Sequence, residues 1–199
     1  MKQKELLPIV AAAFFIYLIT RPKKVSGSPI TYPNTIPSVP ALPPGTTSSA
    51  NVPGSAGETY LGISTLPRGI RNNNPGNFKM SSSAWQGKIP QQDNTDGTFQ
   101  QYYFFPFGVR MMIKELKNNY INNGYNTIET LIKRYAPTSG QSYIEYVANR
   151  MGKLPTDELN GDKKTLLKLV QAIARFENGY TGVTEAVSVD TFNYAYSLI

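Results

Sequence analysis

Residues 68–78, RGIRNNNPGNF, decide how the folded part of this chain is organised. Four asparagines, two glycines and a proline in eleven residues are incompatible with a helix or a strand ladder. Gly and Asn tolerate left-handed backbone, and Pro lacks an N–H donor. The stretch is therefore predicted to be a loop. Its uncharged amides suit a ligand rich in hydroxyl and acetamido groups, such as a carbohydrate; the alternative is a polar surface turn without a ligand.

The 199-residue chain contains no cysteine and no histidine. These absences exclude disulfides, the usual nitrogen and sulfur metal sites, and the Ser-His-Asp and Cys-His nucleophilic systems. In an enzyme of this composition, carboxylates, tyrosines or lysines would transfer protons, and no metal or cofactor is expected. The net charge of +7 would suit anionic cell-wall polymers, membranes or nucleic acid. Because no strongly basic helix is present, we expect no nucleic-acid partner.

The N-terminal part of the sequence differs in composition from the rest. Residues 6–20, LLPIVAAAFFIYLIT, are apolar and uncharged, and basic residues flank them on both sides. We interpret residues 1–24 as an uncleaved single-pass membrane anchor, with a secretory signal peptide as the alternative. Residues 25–58 contain seven prolines and are predicted to be an extended linker that packs on nothing. The folded domain would then comprise residues 59–199.

Periodicity predicts a mostly helical α+β domain. Residues 99–105, FQQYYFF, are strand-like and are predicted to pair with residues 88–90 around a turn at 93–97, which forms a small β lobe. Apolar positions at helical spacing then predict five helices. They lie between Val109 and Gly124, around 128–135 after a cap at Asn126, at 141–151, from a cap at Asp162 to Asn178, and within 184–199.

Glu177 is the acidic residue with the most unusual predicted environment. Leu166, Val170 and Ile173 precede it at helical spacing, so its carboxyl continues an apolar stripe in the last turn of a helix. Burial and a helix C-terminus both disfavour the carboxylate anion, as the acid of a glycosidase requires. One alternative is a frayed helix end that leaves Glu177 in water. The other is a buried ion pair with an arginine, for which the candidates are Arg71, Arg110 and Arg175.

Two sets of motifs resemble known families. RGIRNNNPGN, followed by Trp85-x-Gly87, Asp96-Gly97-x-Phe99 and FGVR at 107–110, resembles a family of phage virion proteins described as structural or lysozyme-like, with peptidoglycan-cleaving members. Residues 174–179, ARFENG, resemble the segment that carries the catalytic glutamate of lytic transglycosylases. The Asn-rich loop, Trp85 and the strand after it also resemble bacterial glucosaminidases. In those enzymes the glutamate helix comes before the loop, so the order here is that of a circularly permuted lysozyme-like core.

These resemblances imply a membrane-anchored phage virion enzyme, in the virion membrane or the bacterial envelope, that cleaves peptidoglycan glycan strands as a lytic transglycosylase. Glu177 would be the catalytic acid. The alternatives are a lysozyme-type hydrolase, with Asp93 or Asp96 as second carboxylate, and a non-catalytic virion structural protein of the same fold. Expected partners are glycan strands, the lipid membrane through residues 6–20, and phage capsid proteins.

The expected substrate-binding residues surround the Asn-rich loop, and this loop should lie within contact distance of Glu177. Core packing is the alternative for the aromatic members of the set. The candidates are Arg71, Asn72, Asn73, Asn74, Gly76, Asn77, Trp85, Tyr103 and Tyr143.

Overall fold

The structure, a computed structural model, describes residues 52–180 and 185–199. Both stretches are mainly helical. In chain order the α-helices are α1 (Arg68–Arg71), α2 (Phe105–Lys114), α3 (Ile128–Tyr135), α4 (Gly140–Met151), α5 (Lys163–Glu177) and α6 (Val189–Ser197).

Helix α2 continues into two further helical segments. A π-helical stretch, Glu115–Tyr120, and a 3-10 turn, Ile121–Asn123, follow it directly, and Gly124 ends the run with a left-handed φ of 85°. The predicted apolar face is confirmed, since Val109, Met112, Ile113 and Leu116 are all fully buried.

Local signals place the ends of the later helices as predicted. The Asp162 side chain accepts a hydrogen bond from the Thr165 backbone and caps α5. Gly152 ends α4 in the left-handed conformation, and Gly179 follows α5 in the same way. At the start of α3 the cap is Thr127, bonded to Thr130, rather than the predicted Asn126.

The helices enclose one main core and one small second cluster. Helix α2 packs on α5 and α6, and α4 packs on α3 and α5. Their apolar faces meet in the main core. Tyr102, Phe107 and Met111 form the second cluster, against which Trp85 packs.

The predicted β lobe is wrong. Outside the helices of the described stretches, strand pairing is limited to three isolated bridges, which join Lys79 to Phe99, Lys88 to Tyr102 and Thr127 to Glu158. The regular secondary structure of the described part is therefore helical apart from these bridges, and the predicted α+β class is corrected.

The physical reason is that the Asn-rich loop takes the hydrogen bonds of the predicted strand. The Tyr102 backbone N–H donates to the Asn72 carbonyl at 3.1 Å, and the Asn73 side chain donates to the carbonyls of Tyr102 and Tyr103 at 2.9 and 3.1 Å. Residues 88–90, the predicted partner of this strand, still lie beside it, because the Ile89 N–H donates to the Gln101 carbonyl at 2.8 Å. A ladder cannot extend where loop groups already occupy the strand's donors and acceptors.

The predicted membrane anchor and membrane location are also corrected. No helix within residues 52–180 or 185–199 is both long and apolar enough to cross a membrane. The prediction rested on residues 6–20, which lie outside the described residues, as do residues 25–51 of the predicted linker.

Residues 52–58, assigned to the linker from their composition, are part of the fold. Glu58 is only 1% exposed, and its carboxylate accepts hydrogen bonds from Thr191 Oγ1 at 2.8 Å, the Gly54 N–H at 2.9 Å and Tyr60 Oη at 3.0 Å. Its carbonyl also accepts from the Phe105 N–H at 2.8 Å. These bonds connect residues 52–58 to the starts of α2 and α6, so the folded part extends back beyond residue 59.

Candidate active site

Glu177 lies at the C-terminal end of α5, where the helix leaves the core. Leu166, Val170 and Ile173 on the same side of the helix are fully buried, whereas Glu177 is half-buried. The predicted apolar stripe is therefore confirmed, and the carboxyl is placed at its solvent-facing end.

Two neutral side chains hold the Glu177 carboxyl. The Tyr143 hydroxyl, from α4, donates to Oε1 at 2.9 Å. The Asn77 amide, from the Asn-rich loop, donates to Oε2 at 3.2 Å and to the Glu177 carbonyl at 3.1 Å. The predicted contact between this loop and Glu177 is thus confirmed through Asn77, across a hundred residues of sequence.

Burial raises the pKa of Glu177 above its usual value of 4.5, although the hydrogen bonds from Asn77 and Tyr143 act in the opposite direction. The ion pairs formed among the described residues join Arg68 to Asp96, Lys133 to Glu129 and Arg150 to Glu185. None of these involves Glu177. In residues 52–180 and 185–199 the carboxyl is therefore held without a counter-charge, which favours its protonated form.

The loop is fixed to the end of α5 by a residue that sequence analysis did not select. The Asn178 amide donates to the Pro75 carbonyl at 2.8 Å and to the Ala174 carbonyl at 2.7 Å. On the other side of the loop, the Tyr135 hydroxyl donates to the Gly76 carbonyl. Asn178 directly follows the candidate acid at a helix end, and this position is the only signal that the sequence offered.

Gly69 allows the close approach between the loop and α5. A side-chain carbon at this position would lie 2.5 Å from Asn178 Oδ1 and 2.8 Å from Asn77 Oδ1. Both distances are shorter than van der Waals contact. The glycine in α1 is thus required by packing around the site.

The side chains of Asn72, Asn73 and Asn74, which were predicted to bind substrate, are engaged inside the fold. All three are buried. Asn72 bonds to Asp96 and Gln101, Asn73 holds the backbone of residues 60, 102 and 103, and Asn74 holds that of Phe78 and Gln100. The bonds of Asn73 and Asn74 to backbone groups take the place of a regular ladder, and those of Asn72 tie the loop to Asp96 and Gln101. The structure therefore assigns all three amides to holding the loop.

Asp96 is a structural carboxylate rather than a free catalytic partner. Arg68 donates to both of its oxygens, at 2.7 and 2.8 Å, and the Asn72 amide donates at 2.8 Å. Burial alone would raise the pKa of Asp96, but the hydrogen bonds from Arg68, Asn72 and the Phe99 N–H, together with the Arg68 charge, lower it to about 2. Asp93, the other candidate, lies exposed in the 3-10 turn Gln91–Asp93.

The remaining candidates differ in how they are placed relative to Glu177. Tyr143 is fully buried and contacts Glu177 directly. Gly76 is enclosed by Phe78 and the Tyr135 hydroxyl.

Arg71, Trp85 and Tyr103 are half-buried. Arg71 donates to the Leu66 carbonyl at 3.3 Å, Trp85 packs on the second cluster, and the Tyr103 carbonyl accepts from Thr59 and Asn73. Among the candidates in the loop, Asn77 is the one that hydrogen-bonds to the Glu177 carboxyl.

Comparison with known proteins gives a phage relative. No protein-family model matches the chain. The chain is similar to Protein P5 of Pseudoalteromonas phage PM2, with 31% identity over 132 residues that cover 60% of this chain and 80% of Protein P5. The chain belongs to the Protein P5 family. The expected relation to phage proteins is therefore confirmed, while peptidoglycan cleavage stays a prediction.

In this member of the Protein P5 family, the site has the parts needed for proton transfer. A half-buried carboxyl with a raised pKa keeps its proton to higher pH than an exposed one, and it can donate that proton and take one back. Burial also raises the pKa of Tyr143 well above its usual value, so its hydroxyl remains protonated and continues to donate. The geometry therefore supports acid–base chemistry by one carboxyl group.

Proposed function

We propose that this domain cleaves the glycan strands of peptidoglycan as a lytic transglycosylase, with Glu177 as both acid and base. The observation that carries the proposal is the Glu177 carboxyl itself. It is half-buried and has a raised pKa, and among residues 52–180 and 185–199 it is held by Asn77 and Tyr143 rather than by a cation. A carboxylate kept only for an ion pair would have an arginine or lysine beside it.

The reaction would proceed in two proton transfers. Protonated Glu177 donates its proton to the oxygen that links N-acetylmuramic acid to N-acetylglucosamine, and the glycosidic bond breaks. The resulting carboxylate then removes the proton from the C6 hydroxyl of the muramyl residue, whose oxygen attacks C1. The product is a 1,6-anhydromuramyl end, Glu177 is protonated again, and no water is consumed.

The electrostatics of the two carboxyl groups favour this route over hydrolysis. A retaining or inverting hydrolase usually employs a second carboxylate as nucleophile or base. Asp96 is bound by Arg68 through both oxygens and has a pKa of about 2, so it is a poor base and is not free to move. Transglycosylation needs one carboxyl, and Glu177 meets that requirement.

Product analysis tests the proposal. The full chain is incubated with purified peptidoglycan in oxygen-labelled water, and soluble fragments are identified by mass spectrometry. We expect anhydromuramyl ends that carry no label. Labelled reducing ends would indicate a hydrolase, and no soluble fragments at any protein concentration would indicate a non-catalytic protein.

A matched pair of variants connects the activity to the site. Glu177→Gln should abolish fragment release, whereas Glu145→Gln changes an exposed carboxylate on α4 and should leave release unchanged. Equal release by both variants would exclude Glu177 as the acid.

A further inference from the structure

The two oxygens of the Glu177 carboxyl have different surroundings. Oε1 faces the interior of the domain, where it accepts the 2.9 Å bond from the Tyr143 hydroxyl. Oε2 accepts the longer, 3.2 Å bond from the Asn77 amide. A carboxylic acid carries its proton on one oxygen only, so this asymmetry decides which oxygen is available for chemistry.

Tyr143 is fixed in place independently of its hydrogen bond. Its side chain is fully buried on α4, and its ring stacks on Phe176 with the centroids 3.7 Å apart and the planes 14° from parallel. Phe176 directly precedes Glu177 on α5, so the same packing that positions the acid also positions the hydroxyl. Protonation of Oε1 would require this buried hydroxyl to turn away from its acceptor.

Asn77 can release Oε2 at a lower cost. Its Nδ2 also donates to the Glu177 carbonyl at 3.1 Å, so this donor keeps an acceptor when Oε2 gains a proton. The orientation of the amide follows from its neighbours, because the opposite orientation would place Oδ1 beside two acceptor oxygens of Glu177. Asn77 therefore holds the end of the helix while Oε2 changes protonation state.

We propose that Tyr143 and Asn77 give the two oxygens of the Glu177 carboxyl different roles. Tyr143 fixes Oε1 as a permanent acceptor, and Oε2 carries the reactive proton. Tyr143 is then a positioning residue that acts through Glu177, since its buried hydroxyl lies out of reach of a substrate. The reactivity of Oε2 rests on the proposed function, but the difference between the two oxygens is a property of the folded protein and is measurable without substrate.

The first experiment compares Tyr143→Phe with Tyr146→Phe in the full chain. Both residues lie on α4 and contact the Phe176 ring, but the bond to Glu177 comes from Tyr143. NMR titration of the Glu177 side-chain carboxyl carbon, assigned with Glu177→Gln, should show a higher pKa in Tyr143→Phe, because a hydrogen bond to the charged form has been removed. Tyr146→Phe should leave this pKa unchanged. An unchanged Glu177 pKa in Tyr143→Phe overturns the proposal.

Kinetics on peptidoglycan provide a second measurement. Tyr143→Phe should lower kcat by about ten- to a hundredfold through loss of orientation, with KM unchanged because the hydroxyl does not touch substrate. The basic limb of its pH–activity profile should move to higher pH, since Glu177 keeps its proton longer. A loss of activity with an unmoved limb would indicate a purely structural role and would contradict the proposal.

Asn77→Gly gives an independent test at the other oxygen. Asn77 has a left-handed φ of 50°, which glycine adopts freely, so the variant removes the amide without straining the loop. Because Tyr143 still fixes Oε1, Asn77→Gly should retain more of kcat than Tyr143→Phe, and the reverse order would refute this difference in roles. Absence of wall cleavage by the unmodified chain would instead overturn the proposed function, whatever the NMR titration shows.

Discussion

The Asn-rich loop holds two carboxylates and gives them opposite properties. Asn72 donates to Asp96 at 2.8 Å, and Asn77 donates to Glu177 at 3.2 Å. Asp96 also binds Arg68 through both oxygens and has a pKa of about 2. Burial raises the pKa of Glu177, which has no ion-pair partner within the described part of the chain. An amide donor from the same loop is common to both sites, so the counter-charge makes the difference.

The comparison also separates two halves of the loop. Asn72, Asn73 and Asn74 are buried and bonded within the fold, whereas Asn77 reaches the end of α5 and contacts the candidate acid. One half of the loop thus replaces a strand ladder, and the other half belongs to the site.

The largest effect is expected on activity at Glu177. Glu177→Gln keeps the size of the side chain but cannot exchange a proton, so peptidoglycan cleavage should fall by roughly 10²–10⁴-fold. Fragment release at neutral pH measures the effect, with circular dichroism to show that the variant is folded.

Glu145→Gln is the control for this loss, because Glu145 is exposed on α4. Glu115 is a less suitable control, because it is half-buried and accepts a bond from Asn119 at 2.8 Å. A Glu177→Gln protein with normal activity would end the proposed mechanism.

The second effect is on stability, in the buried half of the loop. Asn73→Ala removes an amide that bonds to Thr59 and to the backbone of residues 60, 102 and 103, and it leaves several buried groups unpaired. We expect the free energy of unfolding to fall by about 3 kcal/mol. Urea denaturation measures this loss. Asn123→Ala, at an exposed position, should change stability by no more than about 0.5 kcal/mol, and an equally mild effect at Asn73 would refute the ladder role.

The elements that depend on local sequence pattern could be predicted from the sequence. The faces of α2 and α5, the Asp162 cap and the glycines after α4 and α5 follow from spacing and backbone preference, which act over a few residues. The position of Glu177 at the end of an apolar stripe belongs to the same class. The contact of Glu177 with the Asn-rich loop was predicted from resemblance to known enzymes, because a separation of a hundred residues leaves no local signal.

The errors have a common physical origin. The side-chain amides of Asn73 and Asn74 and the backbone carbonyl of Asn72 satisfy backbone groups that a strand would otherwise pair, so a strand-like sequence at 99–105 did not form a lobe. Composition shows that an amide is present but not whether it faces inward or outward. Glu58 was missed for the same reason, since its burial depends on Thr191, which lies 133 residues away.

The third prediction tests the counter-charge at Asp96. Asp96→Asn removes the charge that Arg68 contacts. The folded pKa of about 2, against a usual 3.8, corresponds to about 1 to 2 kcal/mol of stability after allowance for solvent screening. Because the folded pKa is lowered, this stability is present above pH 3.8 and disappears as the pH falls towards about 2. Urea denaturation should therefore separate the two proteins at neutral pH and bring them together near pH 2. Asp93→Asn, at an exposed position, is the control and should change the free energy of unfolding at neutral pH by no more than about 0.5 kcal/mol.

The smallest effect is the stability of Glu177→Gln, and its sign is opposite to that at Asp96. Because burial raises the folded pKa of Glu177 above 4.5, the wild type loses stability as the pH rises from 4.5 through the folded value, and the glutamine variant does not. Glutamine should also be accommodated locally, since its carbonyl oxygen can take the place of Oε1 and accept from the Tyr143 hydroxyl. Relative to wild type, Glu177→Gln should therefore be more stable at pH 7 than at pH 4, with a total change of no more than about 1 kcal/mol. Thermal denaturation at the two pH values, with Glu145→Gln in parallel, measures the difference. A loss of several kcal/mol at neutral pH would instead show that the Glu177 charge stabilises the fold, as the Asp96 charge does, and would remove the contrast between the two carboxylates.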